Sequence, residues 1–189
     1  MAHLEQNQFC EKIKNLFPNQ FDGKKVLEIG SFNVNGTVRN LFNNCDYIGL
    51  DIAEGNGVDV VCEGQKYNAP NNYFDTIISC ECFEHNPFFI ETIENAIRIL
   101  KSKGLFLFTC ATTGRPIHGT ASLEKENKNK HKNWITMPNV IKENWNNEYY
   151  QNVTIEDILT KIKIDEYFQE YSFSVNHKKH DLYFYGIKK

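Results

Sequence analysis

Apolar and polar positions switch between a helical and a strand period along most of the chain. Leu4, Phe9, Ile13, Leu16 and Phe17 recur at helical spacing, and the helix they predict must stop before Pro18. Lys25-Val26-Leu27-Glu28-Ile29-Gly30 reads as a buried strand ending in a glycine turn, and Val34, Val38, Leu41 and Phe42 predict a helix after it. Residues 46–51, 58–61, 74–80 and 105–109 are further strands, the 74–80 run being rich in β-branched side chains. Asn86-Pro87 marks a helix start, with an N-cap followed by proline at the first helical position. Ile90, Ile93, Ile97 and Leu100 form its apolar face, and Gly104 ends it. Thr154-Ile155-Glu156-Asp157 is a capping signal for a helix carrying Ile155, Ile158, Leu159 and Ile162. Two strands close the chain, at 167–175 and 181–187; five residues between them are too few for a helical crossover, so they form an antiparallel hairpin.

This alternation predicts an α/β fold with a mostly parallel sheet covered on both faces. Residues 1–189 fit one domain. The pattern breaks at about 111–153, a polar stretch punctuated by Gly114, Pro116, Gly119 and Pro138 and carrying Trp134, Trp145, Tyr149 and Tyr150.

Composition narrows the partners. Twenty-one basic against 24 acidic residues give a net charge of −3, which makes a nucleic-acid partner unlikely to be read from charge. Of three arginines, Arg39, Arg98 and Arg115, only Arg115 falls in the variable stretch, so it is the candidate clamp for an acidic group on a substrate. No run of 18 apolar residues predicts a membrane span, and the six cysteines include no Cys-x-x-Cys pair. A reduced, cytoplasmic protein is expected.

In an open parallel sheet, ligands bind beyond the carboxyl ends of the strands. Here the first strand ends at Gly30 and the second at Asp51, where a carboxylate can accept both hydroxyls of a ribose. The Gly-x-Gly-x-x-Gly that holds a pyrophosphate is missing, with Phe32 and Gly36 in its place. Glu28 would repel a pyrophosphate but suits a ligand with an ammonium and a sulfonium. Val26-Leu27-Glu28-Ile29-Gly30-Ser31, Ile48-Gly49-Leu50-Asp51-Ile52, Val58-Asp59-Val60-Val61-Cys62-Glu63, the run from Phe74 to His85, and Ile99-Leu100-Lys101-Ser102-Lys103-Gly104 follow one another in order. Together they resemble a class I S-adenosylmethionine-dependent methyltransferase. The departure from the family pattern is in the glycine loop, at Phe32 and Asn33.

The resemblance implies a Rossmann-like sheet of seven strands with an antiparallel C-terminal hairpin, and S-adenosyl-L-methionine as cofactor. It implies that Glu28 and Gly30 face the methionine end of the cofactor, with Ser31, Phe32 and Asn33 in the glycine loop. Asp51 would hold the ribose, Ile52 would pack on the adenine, Glu63 with Gly64 would meet the adenine amine, and the Cys80 backbone would border the methyl site.

An oxygen acceptor with a high pKa needs a base, and His85 and His118 both follow strand ends on the ligand side. Arg115, Tyr149 and Tyr150 are candidate acceptor contacts, and Trp134 and Trp145 candidate lid residues. Glu81-x-x-Glu84-His85 resembles the metal-binding segment of some quinone-pathway O-methyltransferases and of small-RNA 3′-end methyltransferases. Similar segments occur in methyltransferases without metal, and none is assigned here. The expected activity is methyl transfer to a small or carrier-linked acceptor, at oxygen. A Mg²⁺-assisted methyltransferase of a diol or RNA 3′ end and a non-catalytic cofactor-binding module are the alternatives.

Overall fold

Strands β1 (Lys25–Ile29), β2 (Asp46–Asp51), β3 (Val60–Val61), β4 (Phe74–Cys80), β5 (Leu100–Ala111), β6 (Phe168–Asn176) and β7 (Asp181–Lys188) make one sheet. They lie in the order β3-β2-β1-β4-β5-β7-β6 in a computed structural model that describes residues 4–34, 36–130 and 148–189. The first five strands pair in parallel, while β7 pairs antiparallel with β5 and with β6, so the closing hairpin is as the short 177–180 connection demands. Because side chains alternate along a strand, the sheet has two buried faces. Val26, Ile78, Cys80, Leu105 and Leu107 pack under helix α1 (Leu4–Leu16) through its Cys10 and Ile13. Leu27, Ile29, Ile77, Phe106 and Phe108 pack under helix α2 (Phe89–Ile99), whose Ile93, Ala96 and Ile97 are buried against them.

Several local expectations are corrected. Among the described residues of the 34–42 stretch, the helical structure is a single 3-10 turn at Arg39–Leu41. Its Gly36, Thr37, Val38 and Asn40 are weak helix formers, and the side chains satisfy the core individually: Val38 is fully buried and Phe42 stacks on Phe21 at 4.6 Å. Helix α2 begins at Phe89, not at Pro87, because residues Phe83–His85 first make a 3-10 turn. Asn86 then spends its side chain on the Phe88 N–H (2.8 Å) and on Thr92 Oγ1 (2.9 Å) instead of capping the first turn. Gly104 does not end α2 but lies within β5, which starts directly after Ile99. Leu4 and Leu16 of the first helix are exposed.

The capping signal at Thr154 is realised in helix α4 (Ile155–Leu159). Thr154 Oγ1 accepts from the Asp157 N–H at 3.1 Å while Asp157 Oδ2 accepts from the Thr154 N–H at 2.8 Å, a reciprocal pair that typically contributes ~1 kcal/mol. The helix stops before Ile162, and a separate short helix, α5, covers Ile164–Tyr167. Within the polar stretch, Ala121–Lys130 forms helix α3. Trp134 and Trp145 lie outside the described residues.

Candidate active site

Beyond the carboxyl ends of β1 and β2, the two loops that follow them are laced together by the backbone. Gly30 and Ser31 donate their N–H groups to the Leu50 carbonyl at 2.8 and 3.0 Å, and Asn33 donates to the Asn56 carbonyl at 2.8 Å. Asp51 accepts from the Phe32 N–H through one oxygen (3.0 Å) and from the Ile52 N–H through the other (2.7 Å). Burial raises its pKa, and these backbone bonds oppose the rise. The Ala53 N–H also bears on this carboxylate, so a ligand would meet only the acceptor capacity that three backbone groups leave.

Phe32, the departure in the glycine loop, is accommodated by a glycine elsewhere. Its ring lies on Gly55, where a Cβ would sit 1.7 Å from Phe32 Cε2, so no other residue fits there. The Glu54-Gly55-Asn56-Gly57 run was the sequence signal for this partner, and it went unread.

Glu28 is buried, and its carboxylate accepts from the Tyr47 hydroxyl at 2.8 Å. Loss of water pushes its pKa up to about 7 despite that bond. Tyr47 was missed as a site residue, although it opposes Val26 in the β1–β2 register. Glu63 holds Gln65 Nε2 (2.9 Å) and Lys66 Nζ (3.0 Å), and the Gly64 carbonyl accepts from Asn95 of α2 at 2.8 Å. Ser31 is buried beside Gly49, and Cys80 turns its sulfur toward Cys10, 3.9 Å away, so only its backbone borders the strand end.

A second cluster gathers at the ends of β4 and β5. The ring of His85 lies 4.9 Å from that of His118 and 5.5 Å from that of Tyr150, and His118 and Tyr150 are 4.9 Å apart. His85 is 7% exposed, and neither ring nitrogen has a hydrogen-bond partner among the described residues. Burial drives its pKa well down, keeping the ring neutral. His118 Nδ1 is 3.0 Å from the Pro116 carbonyl. A carbonyl only accepts, so Nδ1 carries the proton and Nε2 the lone pair.

Glu84, fully buried, accepts from the Ala111 N–H at 3.2 Å through Oε1, and Oε2 has no partner among the described residues. Burial raises its pKa. Glu81 stands beside it at a backbone φ of 51°, a left-handed conformation costly for a non-glycine residue. Its pKa is raised by burial and then by Glu84.

Two expectations of acceptor contacts change. Arg115 is engaged by the chain itself: its guanidinium donates to Asp181 Oδ1 and the Lys179 carbonyl, each at 2.8 Å, and pairs with Glu81 at 3.4 Å. With three acceptors already claimed, it ties the 112–118 loop to the β6–β7 hairpin and is not placed as a substrate clamp. Tyr149 donates to Gln151 Oε1 at 2.9 Å and is not among the ring contacts of the histidine cluster, whereas Tyr150, donating to Asn152 at 2.9 Å, is.

The profile of a family described as a methyltransferase domain matches residues 1–183. The chain belongs to this methyltransferase family. Its sheet is that of the class I S-adenosylmethionine-dependent methyltransferases, as solved relatives show. A 1,6-didemethyltoxoflavin-N1-methyltransferase of Burkholderia thailandensis, solved with 1,6-didemethyltoxoflavin and S-adenosylhomocysteine bound, superposes at a TM-score of 0.62 with 12% identity, over 97% of this chain and 78% of that one. A phosphoethanolamine N-methyltransferase 2 of Haemonchus contortus, solved with S-adenosyl-L-methionine, gives 0.60 and 16%, over 96% of this chain but only 52% of the other. A possible histamine N-methyltransferase of Thermotoga maritima gives 0.53 and 14%, covering 97% and 98%. At these identities the likeness is one of fold. No protein of curated function matches the sequence. No helix among the described residues is long and apolar enough to cross a membrane.

Proposed function

We propose that this methyltransferase moves the methyl group of S-adenosylmethionine to an oxygen of a small or carrier-linked acceptor. Support comes from one observation above all: a satisfied carboxylate platform and an unsatisfied imidazole cluster stand at the same carboxyl edge of the sheet. The cofactor supplies an electrophilic methyl on a sulfonium, so the protein has to orient an acceptor, exclude water and remove a proton.

The chain's residues fit such a cofactor. Glu28, whose buried carboxyl sits near neutrality with a single tyrosine bond, gains a counter-charge from the ammonium of the methionine end. The Gly30–Asn33 backbone lines that end, Asp51 offers its remaining lone pairs to the ribose hydroxyls, and Ile52, Glu63 and Gly64 bound the adenine. On the acceptor side, an incoming hydroxyl loses its proton at the His85–His118 cluster, where the Pro116 carbonyl fixes the His118 tautomer. Tyr150 walls that space.

We read residues 1–189 as one domain, with the 111–153 stretch on the acceptor side. A reducing, cytoplasmic setting agrees with six cysteines that carry thiols and not disulfides, the close Cys10–Cys80 pair included. Transfer of labelled methyl from S-adenosylmethionine to a panel of hydroxyl, carboxyl and amine acceptors, free and carrier-linked, tests the reading. Labelled oxygen ethers or esters are expected; label confined to amines would refute the oxygen assignment.

A further inference from the structure

Buried polar atoms without partners are costly, each by roughly 1–3 kcal/mol, and a native chain keeps few of them. Here they concentrate. Both ring nitrogens of His85 and the Oε2 of Glu84 are buried without a partner among the described residues. His118, brought in from beyond β5, completes a group in which one ligating atom from each of Glu84, His85 and His118 lies within 4.8 Å of the others. The sequence assigned no metal, because segments like Glu81-x-x-Glu84-His85 also occur without one; His118, 33 residues beyond His85, joins the group through the β4–β5 pairing.

We propose that Glu84, His85 and His118 form a binding site for a zinc-type divalent cation. Two imidazoles and one carboxylate are a donor set that favours zinc and its transition-metal neighbours over the oxygen-seeking magnesium and calcium. Three protein ligands leave a fourth tetrahedral position open, as in zinc sites that carry out chemistry. Ligand atoms around such an ion stand about 3.4 Å apart, so side-chain rotation of the order of an ångström closes the group.

The surroundings have the features of a prepared site. The Pro116 carbonyl holds His118 Nδ1 and leaves Nε2 for the ion, the kind of outer contact that orients metal-bound histidines. The Ala111 N–H holds one oxygen of Glu84 and leaves the other. Gly119 abuts the His85 ring so closely that a Cβ there would lie 2.7 Å from Cε1, which fixes the ring against its neighbours. The site stands on these ligands alone. With an ion bound, both imidazoles would be occupied, so this form is distinct from the metal-free form whose histidines take the acceptor proton in the methyl-transfer reading above.

Cobalt(II) serves as the probe, since tetrahedral coordination gives a visible absorption band and thiolate ligation adds a near-ultraviolet one. Titration of the chelator-treated full chain should show one equivalent bound with the visible band and without the thiolate band, and zinc should displace it. His118→Ala, at a half-buried loop position, should weaken binding by at least ~100-fold, while S-adenosylhomocysteine binding persists. Glu84→Gln gives a second reading of the same loss. Failure to bind cobalt or zinc, a thiolate band from the free cysteines, or equal affinity in His118→Ala would each overturn the site. Loss of S-adenosylhomocysteine binding by the wild type would instead count against the methyltransferase reading and leave the metal result standing.

Discussion

The two halves of the site are built on opposite principles. On the cofactor half, Asp51 has both oxygens bonded to backbone N–H groups, and the loops after β1 and β2 are tied by hydrogen bonds of 2.8–3.0 Å. On the acceptor half, beyond β4 and β5, His85 and Glu84 leave buried nitrogens and an oxygen without partners among the described residues. Geometry on the first half is held in advance by these bonds, with Ser31 Oγ the buried atom there that has no partner among the described residues. The second half gives up stability to keep groups available, which is what a reacting centre requires.

That contrast is broken first by removing His118. If the proton of the acceptor leaves at the histidine cluster, His118→Ala should lower turnover by roughly 10²–10⁴-fold, while cofactor binding stays near wild type. Equal losses in both would mean that the two halves are one structural unit.

Next in size is a pH effect of Glu28 on the cofactor half. Glu28 has a folded pKa of about 7 against an ordinary 4.5, so the folded state binds its proton more tightly. Stability from this group is therefore full below about pH 4.5 and is lost as pH rises toward 7. The whole difference is about 3 kcal/mol. Urea titrations at pH 5 and pH 8 should show a larger loss in the ligand-free wild type than in Glu28→Gln, the loss common to both coming from the buried carboxyls of Asp51, Glu81 and Glu84. A parallel pH dependence in both proteins would contradict the assignment.

The smallest effect runs against the usual direction of core substitutions. His85→Leu removes two unpartnered nitrogens from a buried place, so the metal-free variant should be more stable by about 1–2 kcal/mol. A lower melting temperature than wild type would show that His85 is satisfied in solution, and the contrast between the halves would weaken.

The same division explains what could be read from the sequence. Strands β1, β2, β4 and β5 announce themselves by apolar runs, and Gly30 and Asp51 by their place at the strand ends. Short-range signals of this kind survive without tertiary context. The helix expected at 34–42 failed because apolar spacing was weighed without the poor helix propensity of the intervening residues. Asn86 failed as a cap because its side chain found a better partner in Thr92, a tertiary choice. Arg115 looked like a free cation until the hairpin brought Asp181 to it. His85 and His118 were legible singly, as polar residues after strands. Their meeting with Glu84 was not, since it depends on the register of β4 against β5.

The central claim is that the carboxyl edge of this sheet holds S-adenosylmethionine through Asp51. Calorimetry with S-adenosylhomocysteine on the wild type and on Asp51→Ala tests it directly. Binding by the wild type, weakened by roughly 2–3 kcal/mol in the variant as a charge-assisted contact is lost, is the predicted result. No binding by the wild type, or the same affinity in both, would contradict it.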